Sequence, residues 1–458
     1  MAKILISPIG VGGRFKSQDN YDREYQEACY KIGDISYPQS RFMAAVLYEH
    51  FKLDGIVFIG TVKSMWEEVY RFFCEKNGVQ KNDDYWLDLA CKIDDLKYDS
   101  PLNSLDLSPI EEILGKHSKC ILIKYGIDQD ELWENFDRIF QIVDWLNVGD
   151  EIYIDITHSF RSLSLFLFLT VTFIKDLASE KQIKISGIYY GMLDVTRELK
   201  YTPVVDLNPL FEMTSWIKGA YSLQSYGNGN FIAELLKAQN ENQLANQIEE
   251  LSQSLNINNV NAIKQKSSIL KTSLQQSIPK TPFQYLRKTL ENFVEKFARS
   301  SVPESKYQLE LAGWYFDNQR YATGYITLAE AIITYLCEIE GRNIRNRNTR
   351  EEMKDLLHNR DIKNSKLAQL YFKVNPIRKS IAHALLEEGN HVNDVRDAIN
   401  NAKYYYQEVK KSLKQEELNN IYVPNMNYIN FAKENNSFKS HIPHLQLSHR
   451  KGTDTFST

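Results

Sequence analysis

The chain has 458 residues, of which 43% are hydrophobic and 25% charged: enough apolar material for two or three domains with buried cores, and too much for a disordered chain. Lys plus Arg number 55 against 59 Asp plus Glu, a formal net charge of -4, so no bulk charge draws the whole molecule to nucleic acid or to an anionic membrane. Any polyanion site has to be local.

The five cysteines (Cys29, Cys74, Cys91, Cys120, Cys337) are odd in number and contain no Cys-x-x-Cys pair, which argues against a disulfide framework or a thiolate zinc site and fits a reducing compartment. Met1 to Gly10 has no basic n-region and no cleavage pattern, so it does not read as a signal peptide. The longest apolar stretch, Leu163 to Ile174, is broken by Ser and Thr and falls short of the roughly 20 residues that span a bilayer. A soluble, cytoplasmic protein with no membrane partner is expected.

In chain order, short β-rich runs alternate with segments of helical spacing through the first two hundred residues or so. Strands are expected at Lys3 to Ile9, Gly55 to Gly60, Cys120 to Gly126, Glu151 to Thr157 and Lys184 to Gly191. Helices are expected near Gln39 to Phe51, Lys63 to Asn77, Gln129 to Leu146 and Phe160 to Leu177. Parallel neighbours need crossover helices, so this pattern implies a mostly parallel, Rossmann-like sheet covered on both faces, with ligands at the carboxyl ends of its strands. After Pro203 the character changes: Asn208 to Tyr226 has helical spacing, and residues 228–277 are rich in Asn, Gln, Leu and Ile without strand-like runs. Pro279 and Pro282 mark a boundary, and from about Pro303 the face Tyr325, Leu328, Ala329, Ile332, Ile333 and Leu336 announces a compact helical domain. The fold class is therefore α/β followed by all-α: residues 1–205 a sensor-like sheet domain, 206–302 a helical connector, 303–420 a helical domain, and 421–458 a polar tail. The tail's His441, His444 and His449 match no metal-ligand spacing.

Three clusters carry chemistry. Asp155-Ile156-Thr157-His158-Ser159-Phe160-Arg161 follows a strand and opens a helix; its hydroxyls, its guanidinium and the free N–H groups of the first helical turn suit a phosphate, the alternative being an ordinary Ser N-cap beside a solvated Arg. At two other strand ends lie Ser7, Gly10 and Gly12, and Thr61, Lys63, Ser64 and Trp66. Here glycines permit close backbone approach, Lys63 neutralises phosphate, and Trp66 or Tyr190 lies against a base. Neither a dinucleotide fingerprint nor a P-loop is matched. The third cluster is Asn375 to Ala384, read as a helix capped by Asn375, started by Pro376, and striped by Ile377, Ile381, Ala384 and Leu385. Arg378 and His383 flank that stripe about 140° apart on an ideal helix. Two subunits meeting along the stripe would combine the pairs into one site in a homodimer, with His383 as general acid or base and Arg378 stabilising phosphorane-like charge. An Arg-x-x-x-x-His match arises readily by chance, so context decides.

Together, Ile4-Leu5-Ile6-Ser7, Phe58-Ile59-Gly60-Thr61 with Ser64 and Trp66, Asp155 to Leu163, and Ile188-Tyr189-Tyr190-Gly191 resemble the CARF–HEPN ribonucleases of type III CRISPR systems. The resemblance implies a CARF sensor over the N-terminal half and a HEPN domain over about residues 303–420. Arg378 and His383 take the places of the family's catalytic pair, with Lys379 where many members carry a small polar residue. It implies a homodimer or higher oligomer that binds a cyclic oligoadenylate activator across the CARF interface, tetra-adenylate ahead of hexa-adenylate, and that cuts single-stranded RNA without metal or other cofactor. The implied activator-binding set is Ser7, Gly10, Gly12, Thr61, Lys63, Ser64, Trp66, Thr157, His158, Ser159, Arg161 and Tyr190. Some CARF domains also degrade their activator, a role Thr157 or His158 would fill. Two other readings compete: a non-catalytic CARF-type sensor with a helical dimerisation or partner-binding module, and a nucleotide-metabolising enzyme centred on Thr157 to Arg161.

Overall fold

The computed structural model describes residues 1–16, 21–158, 161–177, 179–276, 282–299, 301–360, 362–383 and 395–414. The chain divides into two compact units, Met1–Lys218 and Gly219–Thr458.

The first unit runs β1 (Lys3–Pro8), β2 (Gly13–Lys16), β3 (Tyr21–Glu24), β4 (Ala28–Ile32), β5 (Ile35–Ser40), α1 (Met43–Phe51), β6 (Gly55–Gly60), α2 (Trp66–Lys76), α3 (Asp83–Asp95), α4 (Ser108–Leu114), β7 (Lys119–Leu122), α5 (Gln129–Trp145), β8 (Glu151–Asp155), α6 (Arg161–Leu177), β9 (Lys184–Gly191), α7 (Thr196–Leu199) and β10 (Thr202–Asp206). An eight-stranded sheet has the order β5-β4-β10-β9-β8-β1-β6-β7, with β2 and β3 forming a separate pair. The five strands from β9 to β7 are parallel, and antiparallel pairing enters where β10 meets β9 and β5 meets β4. Every residue of β6 is buried, as a strand covered on both faces requires. Its Ile56 and Phe58 pack with Leu5, Val69 and Phe73 on one face, while Val57 and Ile59 pack with Ile4, Ile6, Ile139 and Leu167 on the other. The period of two along each strand thus feeds two separate cores.

The expected strand at residues 120–126 stops at Leu122. Beyond it the Asn135 side chain accepts from the Lys124 N–H at 2.8 Å and donates to the Lys124 carbonyl at 2.9 Å, taking the backbone groups that would have continued the ladder. The helix expected from Gln39 starts instead at Met43, because Ile35–Ser40 is an edge strand, where Pro38 is tolerated. β10 spans Pro203, after which the sequence character changes, and its slot beside β4 and β9 is a tertiary pairing that has no local signal.

A long helix, α8 (Asn208–Tyr226), joins the units. The second unit continues with α9 (Asn230–Ala238), α10 (Asn242–Asn256), α11 (Val260–Gln275), α12 (Phe283–Glu295), α13 (Glu304–Asp317), α14 (Tyr321–Ile339), α15 (Arg347–Leu357), α16 (Lys366–Ala382) and α17 (Val395–Lys414). Its core gathers Leu328, Ile332 and Leu336 of α14, Leu367, Tyr371 and Val374 of α16, and Ala402 and Val409 of α17. Pro376 is an interior residue of α16, which begins ten residues earlier, where the Ser365 hydroxyl accepts from the Ala368 N–H at 3.2 Å. The expected Asn375 cap is thereby corrected: burial of the Leu367, Leu370, Tyr371, Val374 and Ile377 face outweighs the bond that Pro376 cannot donate to the Phe372 carbonyl. The stripe expected to meet a second subunit is corrected too. Ile377 lies in this unit's own core with Ile381 packed against it, while Ala384 and Leu385 fall outside the described residues. Among the described residues no helix is long and apolar enough to cross a membrane.

Trp66 is fully buried in the sheet core, and its indole N–H donates to the Thr61 carbonyl at 2.9 Å. The ring expected to lie against a base serves packing instead. Trp66→Ala is expected to cost about 3–5 kcal/mol of stability, seen as a lower urea midpoint at an unchanged m-value.

Candidate functional site

Parallel strands deliver their carboxyl ends to one edge, and the neighbours β9, β8, β1 and β6 deliver Tyr190, Thr157, Ser7 and Thr61 there. The hub is Asp155, the last residue of β8 and fully buried. One of its carboxylate oxygens accepts from the Ser7 hydroxyl and the other from the Thr157 N–H, both at 2.8 Å. Thr157 Oγ1 accepts from the Gly191 N–H at 2.9 Å, so a single turn joins three strands. Burial pushes the Asp155 carboxyl above its ordinary range, and the hydrogen bonds from Thr157 and Ser7 pull back against that shift. Tyr30, also buried, has its phenol pushed up by burial first and then by the Asp155 charge.

His158 follows. Its ring stacks on Tyr25 with centroids 4.2 Å apart, and its Nε2 is buried without a hydrogen-bond partner among the described residues. Burial pushes the imidazole down to about 4, so it is neutral at pH 7. The Tyr25 hydroxyl accepts from the Gly10 N–H at 2.6 Å and donates to the Gly10 carbonyl at 3.1 Å, which fixes the glycine turn after β1. A Cβ on Gly10 would sit 3.2 Å from the His158 carbonyl oxygen, and Gly12 holds φ +67 against Met65. Gly12 needs glycine for its left-handed backbone, and a side chain at Gly10 would crowd the turn after β8.

The β6 end is scaffold. Thr61 and Ser64 are fully buried; the Ser64 hydroxyl accepts from the Thr61 N–H and donates to the Ile9 carbonyl, each at 2.9 Å. Lys63, expected on a phosphate, donates from Nζ to the Ile93 and Asp94 carbonyls at 2.5 and 3.0 Å, where the C-terminal end of α3 presents its partial negative charge. Tyr190 is half-buried, its phenol pushed up by burial and then by Asp194. Ser159 and the Arg161 side chain lie outside the described residues. The edge is thus a set of loops whose hydroxyls and backbone N–H groups hold one another beside a neutral imidazole. The sequence reading missed Tyr25 and Tyr30. Asp155, quoted but given no role, could have been found as a lone carboxylate ending an apolar strand.

In the helical unit Arg378 and His383 lie near the end of α16. Arg378 Nη2 approaches Glu330 Oε1 of α14 at 3.4 Å, and about a third of the arginine side chain is exposed. Arg350 holds the other Glu330 oxygen and donates to Thr334 Oγ1 and the Ile344 carbonyl at 3.1 and 3.0 Å. The Tyr371 phenol is pushed up to about 12 by burial and then by the Glu330 charge. His383 is the exposed C-cap of α16, at φ -94 and ψ 18, so the ideal-helix angle between it and Arg378 no longer applies. Among the described residues no cluster of His, Cys, Asp or Glu could hold a metal ion; the tail histidines lie outside them.

Residues 4–194 match the family model of the CARF domain of the CRISPR system endoribonuclease Csx1. The sheet domain is a CARF domain. Beyond the CARF domain, residues 212–304 match the model of the second domain of the CRISPR-associated protein MJ1674. MJ1674 itself, from Methanocaldococcus jannaschii, is 37% identical over 425 residues, 87% of this chain. The chain spans 66% of that relative's length. Among solved structures, Enterococcus italicus Csm6 bound to cyclic hexa-2'-fluoro-hexa-dAMP aligns over 96% of this chain and 99% of its own at 12% identity and a TM-score of 0.37.

The buried imidazole makes the CARF edge pH-sensitive. The unfolded chain takes up a proton on His158 near the ordinary 6.5, whereas the folded state resists until about 4. The contribution of His158 to stability is therefore full above 6.5 and declines as pH falls from there toward 4. His158→Phe keeps a ring against Tyr25 and removes the titration. Urea midpoints at pH 7 and pH 5 are expected to differ less in the variant than in the wild type; an equal difference would place the pH dependence elsewhere.

Proposed function

We infer that the protein is a CRISPR-associated sensor of cyclic oligoadenylate that acts as a metal-independent endoribonuclease on single-stranded RNA, with a HEPN-type helical domain. The observation that carries this reading is an arginine side chain about a third exposed, Arg378, five residues ahead of an exposed imidazole, His383, at a helix end in a chain whose other unit is a CARF domain. In the proposed mechanism His383 takes the proton of a 2′-hydroxyl or returns one to the leaving oxygen, and Arg378 stabilises charge on the phosphorane-like transition state. Cyclic tetra-adenylate is the proposed activator, ahead of hexa-adenylate, held by the loops after β1 and β8. To act as a switch it must bind the active arrangement more tightly than the resting one, by a few kcal/mol.

A homodimer that pairs two copies of the Arg378 and His383 set completes the proposal. Support comes from α6 and α8, which leave Leu165, Leu169, Leu210 and Ile217 at 57–70% exposure, an apolar surface suited to a second copy. The non-catalytic sensor remains the second reading, favoured by the Glu330 carboxylate that already answers part of the Arg378 charge.

Purified protein with labelled single-stranded RNA in EDTA is expected to cut only when cyclic tetra- or hexa-adenylate is added. Arg378→Ala and His383→Ala are each expected to lower the rate at least about 100-fold, with activator binding retained. Cutting at wild-type rates in both variants would refute the assignment of the pair.

A further inference from the structure

A cavity of about 310 Å³ with a mixed polar and apolar lining opens in the helical unit next to the anchor of Arg378. Gln308 of α13, Glu330 of α14, and Arg345 and Arg350 from the approach to α15 and its first turns line it. Glu330 belongs to both places, since the same carboxylate faces Arg378 at 3.4 Å. The cavity therefore lies one side chain away from the proposed catalytic guanidinium.

Its wall is unevenly satisfied. Glu330 is held by Arg350, and Glu304, also on the wall, pairs with Lys264 at 2.7 Å. Asn258 donates to Thr327 Oγ1 at 2.9 Å. Two groups stand out against these closed pairs. The Gln308 Oε1 is buried and has no hydrogen-bond partner among the described residues; a turn of the side chain toward the cavity would let it accept from a ligand. Arg345 is exposed, makes no ion pair among the described residues, and meets only Asn261 Oδ1, at 3.5 Å. With both carboxylates answered, the charge left over on this wall is the positive charge of Arg345.

A buried acceptor combined with a cation nearer the solvent fits a nucleotide: an N–H of a base reaching Gln308 while its phosphate meets the Arg345 fork. We propose that this cavity is a nucleotide subsite for the RNA strand, holding a residue adjacent to the one cut, with Gln308 reading the base edge and Arg345 taking the phosphate. The proposal deepens the ribonuclease reading and rests on it for the identity of the strand. A free mononucleotide carries the same groups but lacks the strand on either side that would lead to Arg378.

The test uses the full chain and a fluorescent single-stranded RNA made uncleavable by 2′-O-methyl riboses, with affinity read by anisotropy. Arg345→Ala is expected to weaken binding about tenfold and to flatten its salt dependence. Gln308→Leu is expected to weaken it severalfold and, on cleavable RNA of random sequence, to broaden the base identity at one position beside the cut. Thermal melting checks that both variants keep the fold. RNA binding within twofold of wild type in both variants, or displacement of the RNA by 5′-AMP with no loss in either variant, overturns the subsite. Weakened RNA binding together with no cleavage by the wild type would sink the nuclease reading while leaving the RNA subsite standing.

Discussion

A carboxylate buried at the end of a strand has to find donors, and in this protein that demand organises the CARF edge. Asp155 reaches no water, so its oxygens are held by the Ser7 hydroxyl of β1 and the Thr157 N–H of its own turn. Thr157 then uses its hydroxyl on the Gly191 N–H, which extends the tie to β9. Separating any of these loops would strand a buried polar group, at about 1–3 kcal/mol each. The loops are therefore preorganised before any ligand arrives, and a ligand entering them need not supply that ordering. Tyr25 extends the same logic to the glycine turn: its hydroxyl engages both backbone groups of Gly10 while its ring backs His158.

The helical unit solves a different problem, the placing of a cation. Arg350 is held by the Glu330 carboxylate, the Thr334 hydroxyl and the Ile344 carbonyl, which immobilises Glu330 and leaves its second oxygen for Arg378. At this exposure the ion pair adds little stability, but it sets the direction in which the guanidinium points. About a third of the Arg378 side chain stays exposed, and His383 sits exposed where α16 ends. Pro376 is tolerated inside this helix because the residues before it bury a full apolar face.

How much of this the sequence carried depends on whether a feature is local. The strands Gly55 to Gly60 and Lys184 to Gly191 coincide with β6 and β9, since runs of buried β-branched residues between turns can be read without knowing their neighbours. α8 likewise coincides with Asn208 to Tyr226. The segment from Tyr21 to Ser40 was not legible: its strands are short, and β4 and β5 acquire strand character from pairing with β10 and with each other. Tyr25 and Tyr30 were lost with that segment. In the candidate site, the turn after β8 was found because it combines a strand end with hydroxyls. Lys63 and Trp66 were given ligand roles that the core and the end of α3 had already taken.

By itself the sequence determined the alternation of the main strands and helices in the first half, the switch from α/β to all-α, and the residue types gathered at the strand ends, because periodicity and composition follow from which faces must leave water. Only the tertiary structure decided which of those residues face a ligand and which serve the scaffold. It also decided that α16 begins at Lys366 and that Glu330, 48 residues earlier in the chain, stands beside Arg378. The physical reason is the same throughout: a polar side chain acquires its role from the donors, acceptors and charges brought against it, and these come from parts of the chain too distant for local pattern to register.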